Sequence, residues 1–174
     1  AGNPQTDFGA VQDITAEKEA AQALSTQLAF MQNMAARVPG VLFEARVRPD
    51  GGSSFGYMSE RASDMLELDP AQLAEDGNLF FQRVHEGDKK NLIVTMTRCA
   101  EQLLPWRGQY RVVLPSRGLR WYTVDAQPHR EADGSTLWYG FFNDVTASRL
   151  AQEALSRQHQ MLEAVQKAQS AFIE

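Results

Sequence analysis

The chain has 174 residues, 43% of them apolar, with a formal net charge of −5. That length and apolar share suit one soluble module with a single core. The acidic balance argues against a nucleic-acid or anionic-membrane surface, both of which need clustered Lys and Arg.

No apolar run approaches the ~20 residues that span a bilayer, and the first residues lack a signal peptide's basic and apolar regions. One cysteine, Cys99, excludes an intramolecular disulfide and suits a reducing cytosol. A cytoplasmic module is expected, and a membrane-anchored parent stays open.

In chain order, Gly9-Ala-Val-Gln-Asp13-Ile-Thr15 reads as a strand end entering a helix. Residues 16–38 form that helix, with Thr15 as N-cap and Pro39-Gly40 as stop. Ala20, Gln27 and Met34 alternate with Leu24, Met31 and Val38 at spacings of four and three, which is a coiled-coil seam. An amphipathic helix lying on its own domain is the other reading.

Val41–Val47 and Ser54–Met58 then alternate with period two around Pro49-Asp-Gly-Gly52, a hairpin signal. Residues 60–66, 70–75, 79–84 and 88–103 are helical pieces, the last carrying Leu92, Met96, Cys99 and Leu103 on one face. Three strands follow, Trp106–Leu114, Leu119–Gln127 and Leu137–Asp144, joined by turns at 115–118 and at Glu131-Ala-Asp-Gly134. An antiparallel sheet with helices on one face is an α+β domain.

The last strand runs into a helix through Gly140-Phe-Phe-Asn-Asp144-Val-Thr146, which repeats the opening junction. The helices after the two junctions also align without a gap. Such recurrence marks a repeat architecture with a unit of roughly 120–130 residues. The expected layout is the tail of a preceding unit over 1–15, a connector helix over 16–38, a domain over 39–146 and an output helix over 147–174. In that last helix Ala151, Gln158, Val165 and Phe172 alternate with Leu155, Leu162 and Gln169, the same seam register as in the first. Self-association is its expected role, with Leu24, Met31, Leu155 and Leu162 at the dimer seam.

Val84-His85-Glu-Gly-Asp88, Trp106-Arg-Gly-Gln-Tyr110-Arg111, Arg120-Trp121-Tyr122, Asp133-Gly134 and Gly140-x-x-x-Asp144-Val-Thr146 occur in an order and spacing that resemble a PAS domain. Glu86-Gly87 departs from the Pro-Asp or Pro-Glu usual in that family. The resemblance covers about 36–146 and implies a five-stranded antiparallel sheet of order 2-1-5-4-3. It also implies a non-catalytic sensory or dimerising module of a histidine kinase or diguanylate cyclase, acting on a downstream effector domain. Residues 162–174 resemble the entry helix of GAF domains.

No cofactor is expected; a haem or flavin sensor is the alternative. His85 lies before the long helix and suits capping or loop packing better than haem ligation, and Cys99 lacks an adduct motif and suits a small core residue. No His/Cys cluster has metal-ligand spacing. Leu92, Met96, Cys99, Tyr110 and Trp121 are candidates for a ligand pocket between sheet and long helix. Trp106, Tyr110, Trp121, Tyr122, Trp138 and Tyr139 also suit plain cross-strand packing. Arg111, Arg120 and Arg130 are expected to form surface ion pairs with Asp125 and Asp144. A catalytic constellation is missing. Asp144 and Thr146 are the candidate signal junction, with Thr146 capping the output helix and Asp144 favoured by its dipole.

Overall fold

The computed structural model describes residues 14–171. Most of the expected preceding-unit tail over 1–15, and Phe172 of the terminal seam, lie outside the described residues. The chain divides into two units, one ending at Arg37 and one beginning at Val38.

The described part of the first unit is helix α1, Thr15–Arg37. The Ile14 carbonyl accepts the Lys18 amide at 2.9 Å, which makes Ile14 the N-cap and Thr15 the first helical residue. Leu24 and Met31, at seam positions, are exposed.

The second unit is a five-stranded sheet with helices on one face. Strands β1 (Val41–Val47), β2 (Ser53–Met58), β3 (Trp106–Leu114), β4 (Gly118–Arg130) and β5 (Thr136–Asp144) are antiparallel in the order β2-β1-β5-β4-β3. This is the α+β sheet order expected from the sequence. The first hairpin closes on Gly51 at φ +87°, with the Arg48 amide on the Gly52 carbonyl and the Gly52 amide on Asp50 Oδ1. β4 runs three residues past its expected end, to Arg130, because its 128–130 segment still pairs with β5.

Helices α2 (Ala62–Leu66), α3 (Pro70–Glu75), α4 (Asn78–Arg83) and α5 (Glu86–Gln102) sit between β2 and β3 in sequence. Pro70 fits the first turn of α3, where its missing amide costs nothing, and the Asp69 carboxylate caps the Ala71 amide. His85 caps α5, its Nδ1 accepting the Gly87 amide at 3.1 Å. This is the role expected for it, and it takes the ring away from the core.

Alternation along the strands sends Phe43, Phe55, Trp106, Tyr110, Tyr122, Val124, Trp138 and Phe142 into the core beneath Leu66, Leu73, Phe80 and Leu92. Gly140 is required here, since a Cβ would meet the Ala126 Cβ and the Asp125 carbonyl at 2.5 Å. β3 is an edge strand, and edge amides invite pairing with other chains. Residues 84–88 cover part of it: the His85 amide donates to the Arg111 carbonyl (2.8 Å), and Asp88 Oδ2 accepts the Arg111 amide (2.8 Å).

Helix α6 (Thr146–Ala171) leaves the end of β5. Beyond Thr146 its residues are exposed or half-exposed, including Leu155, Leu162 and Val165. No described helix is long and apolar enough to cross a membrane.

Candidate functional site: the strand-to-helix joint

Two consecutive residues of β4, Arg120 and Trp121, hold the start of α6. Arg120 forks onto Asp144, with Nε and Nη2 at 3.0 and 2.9 Å from Oδ2. The Trp121 backbone binds twice: its amide donates to Thr146 Oγ1 (2.8 Å), and its carbonyl accepts the Val145 amide (2.8 Å). The Trp121 ring carries the Arg149 guanidinium 3.7 Å from its centroid, with Arg111 at 5.7 Å. Arg149 also donates to Gln109 (2.6 Å) and Glu153 (3.1 Å), which fixes its plane. A guanidinium over an indole face contributes about 0.5–2 kcal/mol depending on desolvation.

The structure corrects the expected role of Thr146. The Val145 carbonyl accepts the Arg149 amide at 2.8 Å, so Val145 is the N-cap, as Ile14 is in α1. Asp144 Oδ1 takes the Thr146 amide at 2.9 Å. With that amide satisfied, the threonine hydroxyl is left to reach across to β4. Thr146 is therefore a buried tie between helix and sheet, and the carboxylate two residues back does the capping.

Burial opposes ionisation of Asp144, but the Thr146 hydroxyl and amide and the Arg120 guanidinium outweigh it and hold the carboxyl below its usual range. The hydrogen bond from Arg111 does the same for Asp88, against partial burial and with the Arg111 amide assisting. Groups held low stabilise the fold above the ordinary carboxylate pKa, and the contribution is lost as pH falls through their folded values. Stability is therefore expected to drop as pH falls below about 4. Asp88→Asn should flatten that slope in urea melts taken at stepped pH; an unchanged slope would show that Asp88 is not a source of it.

The interior holds two small chambers. One, of about 30 Å³, is lined mainly by Phe43, Phe55, Phe81, Met96 and Trp138. The other, of about 10 Å³, touches Val84, Leu92, Tyr110, Tyr122 and Val124. Phe80, Trp106 and Phe142 line both. A hydrogen-bonded trio ties β3 to α5: Tyr110 OH lies 2.9 Å from Thr95 Oγ1 and accepts from Trp106 Nε1 at 3.2 Å.

Of the expected pocket residues, Leu92, Met96 and Tyr110 reach these chambers. Trp121 does not: it is one residue out of phase with the core positions Tyr122 and Val124, so the pleat turns it to the outer face. Cys99 lines neither chamber; its thiol lies 3.6 Å from the Pro105 carbonyl. The expected ion pairs also sort differently. Asp125 pairs with Arg107 (2.8 Å) and Arg111 with Asp88, while Arg130 binds the Ala100 carbonyl (2.8 Å). Arg149 was missed, because on a helical heptad it reads as an ordinary solvated residue.

Neither haem nor flavin fits this interior. Ligand pockets run to about 300–1,000 Å³, whereas these chambers approach the size of one water. His85 is committed to its cap and Cys99 lies outside both chambers. Among the described residues, no group of His, Cys, Asp and Glu is arranged to hold a metal.

A sheet of order 2-1-5-4-3, its helices on one face and an exit helix pinned to the outer face, defines an α+β domain. The family model described as PAS fold matches residues 55–142, about half the chain, and the chain belongs to that family. Solved structures share the fold. A domain assigned to a histidine kinase of Haloarcula marismortui superposes with TM-score 0.54 at 18% identity, covering 68% of this chain and 99% of that one. The N-terminal domain of a diguanylate cyclase with PAS/PAC sensor from Marinobacter aquaeolei gives 0.52 at 14%, covering 62% and 98%. A sensory box histidine kinase/response regulator from Burkholderia thailandensis gives 0.53 at 18%, covering 71% and 91%. No curated protein matches the chain.

Proposed function

We propose that this chain is a non-catalytic sensory and dimerising module of a cytoplasmic signalling protein, a histidine kinase or diguanylate cyclase. Its output passes to an effector domain through α6. The observation that carries this reading is the joint itself. Asp144, Val145, Thr146 and Arg149 bind α6 to residues 120–121 of β4 through an ion pair, two bonds to the Trp121 backbone and a ring contact. A strand shift at β4 therefore changes the direction in which the helix leaves. Repacking at such a boundary is discrete, because packed interfaces have alternative arrangements. The printed descriptions of the structural neighbours, a kinase, a cyclase and a kinase/response regulator, support the choice of parent.

The second element of the proposal is a homodimer seam along α6 at Leu155 and Leu162, with Leu24 and Met31 of α1 as its counterpart. The first positions to test in the parent are Asp144→Ala and Thr146→Ala, set against the core variant Leu92→Ala. Thr146→Ala removes one buried hydrogen bond and should lower stability by about 1 kcal/mol; Leu92→Ala should lower it by about 2–5 kcal/mol. Output of the full-length protein is then plotted against stability. The two joint variants are expected to leave the line defined by Leu92→Ala and wild type. Output that tracks stability alone reduces the joint to a structural clasp.

The module is expected to purify without a Soret or flavin band, because the aromatic side chains fill the interior. A stoichiometric visible chromophore in purified protein would overturn the packing argument.

A further inference from the structure

The segment of β4 that holds α6 also holds the far end of α2. Tyr122, next to Trp121 but on the core face, donates its hydroxyl to the Met65 carbonyl. Just upstream, the β3–β4 turn grips the residue after α2. The Ser116 amide donates to Glu67 Oε2 at 2.9 Å, its hydroxyl donates to Oε1, and Arg117 Nε lies 3.3 Å from Oε1. Arg117 also donates to the Asp64 carbonyl, and Arg83 Nη2 donates to the Glu67 carbonyl at 3.3 Å.

A helix end leaves its last carbonyls without intrahelical partners. Here those of Asp64, Met65 and Glu67 are all taken by side chains from other elements. Glu67 itself sits at φ +51°, a left-handed conformation that a side-chain-bearing residue adopts at a cost. The grip on its carboxylate offsets that cost, so releasing the grip favours a different path for the chain after α2.

We infer that the β3–β4 hairpin is a latch: seating the C-terminal end of α2 on Glu67, Ser116, Arg117 and Tyr122 holds β4 in the register that orders the α6 joint. Arg120, Trp121 and Tyr122 are adjacent in one strand, so the same backbone segment serves both ends. α2 adds Ala62 and Leu66 to the core, and α4, two helices further on, carries Phe80 and Phe81, which line the larger chamber. A change among those helices reaches Glu67 through Arg83 of α4, whose guanidinium donates to its carbonyl. The inference rests on the joint being the output element, but its test does not require any output.

Hydrogen exchange in the 174-residue chain reads the latch directly. The reporters are the amides of Trp121, Val145, Thr146 and Arg149, with those of Val124 and Ala126 in the middle of the sheet as the global reference. Tyr122→Phe keeps the ring in the core and removes one bond; Glu67→Ala removes the grip on the turn. Each is expected to raise exchange at the four joint amides by about fivefold beyond any rise at the reference amides, the factor for one lost hydrogen bond. Arg46→Gln, which loosens an exposed ion pair with Glu131 and Asp133, should leave that ratio unchanged.

Joint amides that rise only in step with the reference, or not at all, would overturn the latch while leaving the output role of the joint to the experiment in the parent. A raised ratio in Arg46→Gln as well would overturn it too, since the joint would then respond to loosening anywhere.

Discussion

Lysine at both Leu155 and Leu162 is expected to turn a dimeric chain into a monomeric one. These side chains are 68% and 56% exposed in the single chain and lie seven residues apart, on the stripe that includes Ala151 and Val165. Among the described residues nothing covers them. Burying a leucine is favourable by about 1.5–3 kcal/mol, and a symmetric pair buries two copies of each. Placing ammonium groups there removes that gain and sets like charges against each other in the seam. Sedimentation at roughly tens of micromolar, a range matched to weak coiled-coil affinities, should show the shift. Matching changes at Leu24 and Met31 ask separately whether α1 contributes. A wild-type chain that is strictly monomeric under those conditions would remove the dimer from the account.

The second large effect is in the core. Phe142→Ala should cost about 3–5 kcal/mol, the range for emptying a buried aromatic site. Phe142 is 3% exposed and stacks on Phe43 at 4.3 Å and on Phe80 at 4.8 Å. It also stands between the two chambers, so its removal joins them into one apolar cavity. Cavities of that kind stay dry and take up benzene or xenon. Urea unfolding should show the loss, and benzene should restore part of it by binding only the folded state. A loss below about 1 kcal/mol, typical of an ordinary substitution, would mean that the interior repacks freely and that its small volume says little about which ligands it admits.

Much of this fold was legible because period and punctuation agreed. The Asp-Gly turns, the alternation in 41–47 and 106–114, and the 3.6-residue stripe of 88–103 each pointed to one element, and the structure has them within a few residues. Trp121 shows where such reading stops. Strand alternation assigns residues to two faces, but an aromatic run such as Trp121-Tyr122 carries no mark of which face is inside. The structure moves Trp121 from the interior to the joint. Thr146 is a similar case: a threonine at a helix start reads as a cap, and only the register between β4 and β5 shows the Trp121 amide within reach of its hydroxyl. Arg149 and Glu67 were silent because their partners lie 28 and 49 residues away in sequence, at Trp121 and Ser116. The duplicated Gly-x-x-x-Asp-x-Thr junction did locate the joint, since Gly140, Asp144 and Thr146 each have a distinct physical task there.

The proposed output role of the joint requires that it set the direction of α6. Interspin distances in the proposed dimer test that, using a label at Gln160 on the exposed side of α6 in a Cys99→Ser background. The wild-type chain should give one narrow distance distribution. Asp144→Ala and Thr146→Ala should shift or broaden it while the sheet stays folded. A distribution unchanged in both variants would contradict the claim that these residues aim the helix.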